Sequence, residues 1–185
     1  SGKLTTSQRV SAELKPTKAT RWITNASVAT TIRKSQQSKN QDNAVDFGYV
    51  FHEIMSRIYV KTDVEDAIQY AYNQGNIGID QVDELTKLID ELVNHNELGH
   101  FFNSKGTQYN ERTLLSTEGI SLRPDCFVVL PNKEAAILDY KTGKPKPAHE
   151  DQLNEYASLL EKLGYTVKKK TIVYISKTVS LKHIY

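Results

Sequence analysis

Two apolar runs separated by a three-residue turn signal constrain this chain more than any other feature. Residues 121–130 and 135–141 each read as a strand, and Pro131-Asn132-Lys133 between them suits a short hairpin loop. Centring that loop on Asn132 sets Asp125 across from Asp139. A further strand over 110–116 would join the pair through Thr117-Glu118-Gly119, with glycine at the loop position that favours a left-handed backbone. That register sets Glu111 across from Asp125. Side chains alternate faces along a strand, so Glu111, Asp125, Asp139 and Lys141 are expected on one face of three neighbouring strands. Opposed Cβ atoms stand about 4.5–5.5 Å apart and like charges so placed repel. A divalent cation turns such repulsion into binding. The register matters, because a slip of one residue sends Asp125 to the other face.

The run Asp139-Tyr140-Lys141 ends at Thr142-Gly143-Lys144-Pro145, so the acid and the lysine would stand at a strand mouth open to a substrate. An acid two positions before a lysine is also common on solvated strands, and its neighbours decide between the two readings. On the second strand Arg123 shares the face of Asp125, and either an acid or a phosphate would satisfy it. Cys126 points the other way and reads as an inert buried thiol. Both faces of these strands are apolar away from the charged end, so helices are expected over both.

Upstream, 43–59 has an apolar stripe at three- and four-residue steps, with Gly48 and His52 one turn apart. Glycine inside a helix costs about 1 kcal/mol against alanine, and close approach of another element would account for it. His52 on such a face reads as a packed core residue or as a ligand. Two helices are expected over 63–73 and 80–94, with Asp63 and Asp80 as N-caps, and a short one over 96–102. Together they form a helical lobe over about 61–103. The carboxylates Asp83, Glu84, Asp90 and Glu91 read as its solvated face. Downstream, 149–163 reads as a helix carrying Gln152 and Tyr156 one turn apart, followed by strands over 171–175 and 180–185. Residues 1–42 read as an extended arm or linker anchored by Trp22-Ile23.

The formal net charge is +2, too small to point to nucleic acid unaided, but its distribution is uneven. The N-terminal stretch is basic, 63–97 is acidic, and cations return at Lys141, Lys144, Lys146 and Lys168-Lys169-Lys170. Basic stretches around an acidic site suit a phosphodiester, so the lysines after Asp139 are expected to touch phosphates. No apolar run approaches the roughly 20 residues of a membrane span. The single cysteine excludes an internal disulfide or a cysteine-ligated cluster, and fits a reducing, cytoplasmic setting.

Four short motifs occur in order: Gly48-Tyr49-Val50-Phe51-His52, Arg123-Pro124-Asp125, Asp139-Tyr140-Lys141, and Gln152 followed by Tyr156. In this the chain resembles the RecB-type nucleases of the PD-(D/E)XK superfamily, such as the C-terminal nuclease domain of helicase–nucleases of the exonuclease V beta type. The resemblance implies an α/β, restriction-endonuclease-like mixed sheet flanked by helices, with a helical insertion before the sheet, over 43–185. It implies a Mg²⁺-dependent DNA nuclease, with Mn²⁺ accepted, acting in DNA repair or recombination. The metal would be held by His52, Asp125, Asp139 and the carbonyl of Tyr140, with Lys141 as the catalytic lysine. Gln152 and Tyr156 would support the site and the DNA, and Glu111 is carried as an auxiliary acid. The single Cys126 sets the chain apart from relatives with an iron–sulfur cluster. No phosphate loop of the G-x-x-x-x-G-K-[ST] type is present, so ATP hydrolysis is not expected of this chain, which would be either a domain working with helicase partners or a free-standing nuclease. The DNA is expected to be single-stranded. The alternative is a nuclease-like module that binds DNA or protein without cutting; a hydrolase of another phosphoester is the third reading.

Overall fold

The computed structural model describes residues 41–103, 105–116, 118–176 and 178–185, with side chains from Phe47 onward. The arm expected over 1–42 and its Trp22-Ile23 anchor lie outside them, except that the first helix already includes Gln41 and Asp42.

The strands assemble as the hairpin arithmetic requires. Strand β1 (Thr107–Asn110) pairs antiparallel with β4 (Cys126–Val129), and β4 pairs antiparallel with β5 (Glu134–Lys141). The registers Asn110↔Cys126 and Cys126↔Leu138 are those that bring Glu111, Asp125 and Asp139 side by side. Lys133 closes the β4–β5 loop in the left-handed region, at φ 64°. The Leu130 amide then donates to the Glu134 carbonyl at 2.8 Å.

Strands β1 and β4 are shorter than the sequence pattern suggests. Glu111 turns the chain at φ 48°, and Pro124 has no N–H to give to a ladder. Pairing therefore lapses at 111–113 and 123–125. It resumes in a separate hairpin, β2 (Leu114–Leu115) with β3 (Ser121–Leu122), turned by Gly119 at φ 83°. Strand β1 also starts earlier than expected.

Beyond β5 the chain crosses through a helix to β6 (Thr166–Ile175), which runs parallel to β5, and returns in β7 (Val179–Ile184) along the far edge. The result is an α/β fold with a five-stranded mixed sheet in the order β1-β4-β5-β6-β7.

Helices cover both faces. Helix α1 (Gln41–Ser56), α2 (Val64–Asn73) and α3 (Ile79–Val93) precede the sheet. Phe51, Ile54, Ile68, Ile89 and Leu92 pack with Cys126, Val128, Leu138, Tyr140 and Val173 in one core. Full burial of a side chain such as Phe51 is worth about 1.5–3 kcal/mol. The opposite face carries α4 (Pro147–Lys162), whose Leu153, Tyr156, Ala157 and Leu160 pack on Phe127, Ile137, Ile172 and Tyr174. Proline stands in its first turn, where a missing N–H costs nothing.

Three local expectations change. Asp63 is the N-cap residue of α2 as expected, but its side chain does not cap that helix: the carboxylate turns back to accept the Tyr59 and Val60 amides at 2.8 and 2.9 Å. Gly78, not Asp80, is the N-cap of α3, with its amide donating to Gln81 Oε1 at 2.9 Å. The segment 96–102 is a series of turns rather than a helix, closed by the Leu98 amide on His95 and the Phe101 amide on Leu98. Among the described residues no helix is long and apolar enough to cross a membrane.

Candidate functional site

The lapse of pairing at Glu111 and Asp125 forms the site. Both residues stand just past the last ladder pair, and the Glu111 amide still donates to the Asp125 carbonyl at 2.9 Å. Their side chains are thereby free to turn toward the end of the sheet. Asp125 Oδ2 accepts the Tyr140 amide at 2.7 Å, replacing the ladder partner that β4 no longer offers. Its Oδ1 faces His52 Nδ1 at 3.2 Å. Glu111 Oε1 stands 3.8 Å from the same nitrogen. One ligand atom from each of His52, Glu111 and Asp125 lies within 4.8 Å of the others.

His52 reaches this point because α1 is pinned at two places. Near its middle, Gly48 abuts the loop after β5: a Cβ there would stand 2.7 Å from Thr142 Oγ1. The close approach expected of this glycine is thus present. At its C-terminal end, the Asn110 amide group donates to the Ser56 and Ile58 carbonyls at 3.1 and 3.0 Å. These are orphan acceptors of a helix end. The buried ring of Tyr140 supports His52 edge-on, with centroids 6.0 Å apart, and meets Phe51 in the same manner at 5.7 Å.

Asp139 lies beside this group but outside the trio. It is 1% exposed. Its Oδ2 lies 2.8 Å from Lys141 Nζ as an ion pair, but among the described residues neither carboxylate oxygen has a donor in hydrogen-bond geometry. Burial, then the charge of Asp125, push the carboxyl up to about 7 against the opposing pull of Lys141. Lys141 Nζ also donates to Gln152 Oε1 at 2.9 Å, and Gln152 Nε2 donates to the Tyr156 hydroxyl at 2.7 Å. Burial and the nearby carboxylates push that phenol up.

The remaining charges sort by distance from this rim. Arg123 Nε pairs with Glu111 Oε2 at 2.9 Å, so of its two expected partners it takes the acid. Lys144 and Lys146 are exposed in the loop after β5. The lysine run is dispersed, contrary to the expectation that it faces phosphate at the site. Lys168 pairs with Glu134 at 3.7 Å, Lys169 donates to the Glu97 carbonyl, and Lys170 donates to Asn154. Alternation along β6 splits the run between faces, and it aligns with the start of β5 rather than its charged end. Cys126 is buried, and its thiol is pushed well up by that burial.

Two contributors escaped the sequence reading. Asn110 was visible only as a polar strand residue, and its role depends on where α1 ends. For Tyr140 the resemblance implies only a carbonyl role, and alternation sets its ring opposite Asp139; that this is the face α1 covers is seen in the structure.

The donor set fits a divalent cation. Burial alone would lower His52, but hydrogen bonds and charge from Asp125 and Glu111 outweigh it and push the imidazole up to about 10. A proton on His52 thus balances carboxylates that a cation would otherwise neutralise, and the buried, unpartnered Oδ1 of Asp139 is an orphan acceptor beside them. Oxygen donors with one imidazole suit Mg²⁺ or Mn²⁺. No protein-family profile matches the chain, and no curated protein matches its sequence significantly.

Proposed function

We propose that the chain is a metal-dependent deoxyribonuclease domain of the PD-(D/E)XK kind, with a restriction-endonuclease-like fold. Its substrate would be single-stranded DNA, delivered by helicase partners during repair or recombination. The observation that carries this reading is the meeting of His52, Glu111 and Asp125 beside a buried Asp139–Lys141 pair.

Asp125, Glu111 and His52 would hold the cation, with Asp139 adding its orphan oxygen. A bound divalent cation would supply charge against the phosphodiester and lower the pKa of a water. An ammonium has three donors; that of Lys141 donates one to Gln152 and directs a second toward its ion-pair partner Asp139. The third is left for a phosphate oxygen, where it would stabilise the negative charge that builds during cleavage. Gln152, itself held by Tyr156, fixes the direction of that ammonium.

The test is incubation of linear single-stranded DNA with Mg²⁺ or Mn²⁺, beside Asp139→Ala and Lys141→Ala. Cleavage by the parent chain and its loss in both variants support the assignment. DNA left intact by the parent in both metals would refute it.

A further inference from the structure

The nuclease reading leaves without a role an exposed aromatic residue on the helix that carries His52. Tyr49 is 64% exposed on α1, one turn before His52. Helical side chains lean toward the N-terminus, so His52 lies over the turn that carries Gly48 and Tyr49. What faces that turn is fixed by Gly48, which abuts Thr142. The loop Thr142-Gly143-Lys144-Pro145-Lys146 therefore starts against the turn of α1 that carries Tyr49, and it is exposed from Gly143 onward. No acid occurs over 142–149. Among the described residues neither Lys144 nor Lys146 enters an ion pair.

An exposed aromatic ring on the helix turn that touches the start of a loop bearing two lysines without ion-pair partners suits a polyanion with unpaired bases. A ring can stack on any base face, and lysines follow the backbone without reading sequence. A duplex keeps its base faces inside and offers the ring nothing.

We propose that Tyr49 is a base-stacking residue of a single-strand track leading to the site, with Lys144 and Lys146 holding the flanking phosphates. This rests on the nuclease reading and names how the substrate is recognised.

The test uses the full chain carrying Lys141→Ala, to prevent cleavage, and the fluorescence anisotropy of a labelled oligothymidylate. Adding Tyr49→Ala should weaken binding about tenfold, the size expected for loss of one stacked base. Tyr49→Phe should restore it to within about twofold, because the ring is what stacks. An oligonucleotide of the same length without bases should bind the parent and the Tyr49→Ala variant equally, and so should duplex DNA. Lys144→Ala and Lys146→Ala should each reduce the salt slope by about 1.

Equal binding of oligothymidylate by the parent and Tyr49→Ala overturns the inference while leaving the nuclease reading intact. So does a loss shared by Tyr49→Phe, or one that persists on the strand without bases. Failure of the parent to bind any single strand removes both.

Discussion

Asp125 takes the backbone N–H of Tyr140 at 2.7 Å, across the gap where β4 has stopped pairing with β5. One carboxylate thus completes the sheet with one oxygen and faces His52 with the other. Asp125→Asn keeps an acceptor for Tyr140 but removes the charge. Its thermal midpoint should change little, while Mn²⁺ affinity measured by titration calorimetry should fall by at least about 100-fold. An unchanged affinity would remove Asp125 from the cation site.

Asp139 is held at a cost to the folded state. Its carboxyl is raised from the ordinary 3.8 to about 7, so its contribution to stability is complete below pH 3.8 and is lost as pH rises through about 7. Asp139→Asn does not titrate and should be the more stable protein at high pH. In EDTA at about pH 8, its midpoint should exceed that of the parent by about 2–4 °C for each 1 kcal/mol relieved. The advantage should shrink as the pH is lowered toward 4. Lys141 loses its ionic partner in this variant, which limits the gain. A lower midpoint at every pH would contradict the strain assigned to Asp139.

His52 behaves alike for a different reason. Its imidazole is raised from 6.5 to about 10 in the metal-free protein, with Asp125 and Glu111 outweighing the opposing effect of burial. Its contribution is therefore complete below pH 6.5 and disappears as pH climbs through about 10. In EDTA the parent should lose stability between about pH 7 and pH 9.5, and His52→Gln should lose less over that interval. Parallel curves would show that His52 is not paired with these carboxylates.

Much of this site was legible because a hairpin register is arithmetic. Three-residue loops at Asn132 and Glu118 were enough to place Asp125 against Asp139 and Glu111 against Asp125. The breaks in the strands were not, although Pro124 was in plain view, because the length of a strand depends on pairing with its neighbour. The place of Glu111 in the trio is hidden in the sequence for the same reason. Its left-handed backbone, at φ 48°, is set by tertiary context and has no marker in its residue type. The lysine run misled because a cluster in sequence on a strand is divided between two faces.

Gly48 sets the spacing between α1 and the loop after β5. Gly48→Ala gains about 1 kcal/mol of helix propensity, but its Cβ would meet Thr142 Oγ1 at 2.7 Å. Turning that hydroxyl away costs about 0.5–1.5 kcal/mol, so the single variant should be near neutral in chemical denaturation. With Thr142→Ala as background the conflict is absent, and Gly48→Ala should stabilise by about 1 kcal/mol. Equal effects in the two backgrounds would mean that Thr142 does not restrain the helix.

The central claim is that these side chains jointly hold one or more divalent cations. A crystal soaked in Mn²⁺ and measured for anomalous scattering tests it directly. The account predicts a peak bounded by His52, Glu111, Asp125 and Asp139, absent when Asp125→Asn crystals are soaked alike. A protein saturated with Mn²⁺ that shows no peak there, or shows its only peak elsewhere, would contradict it.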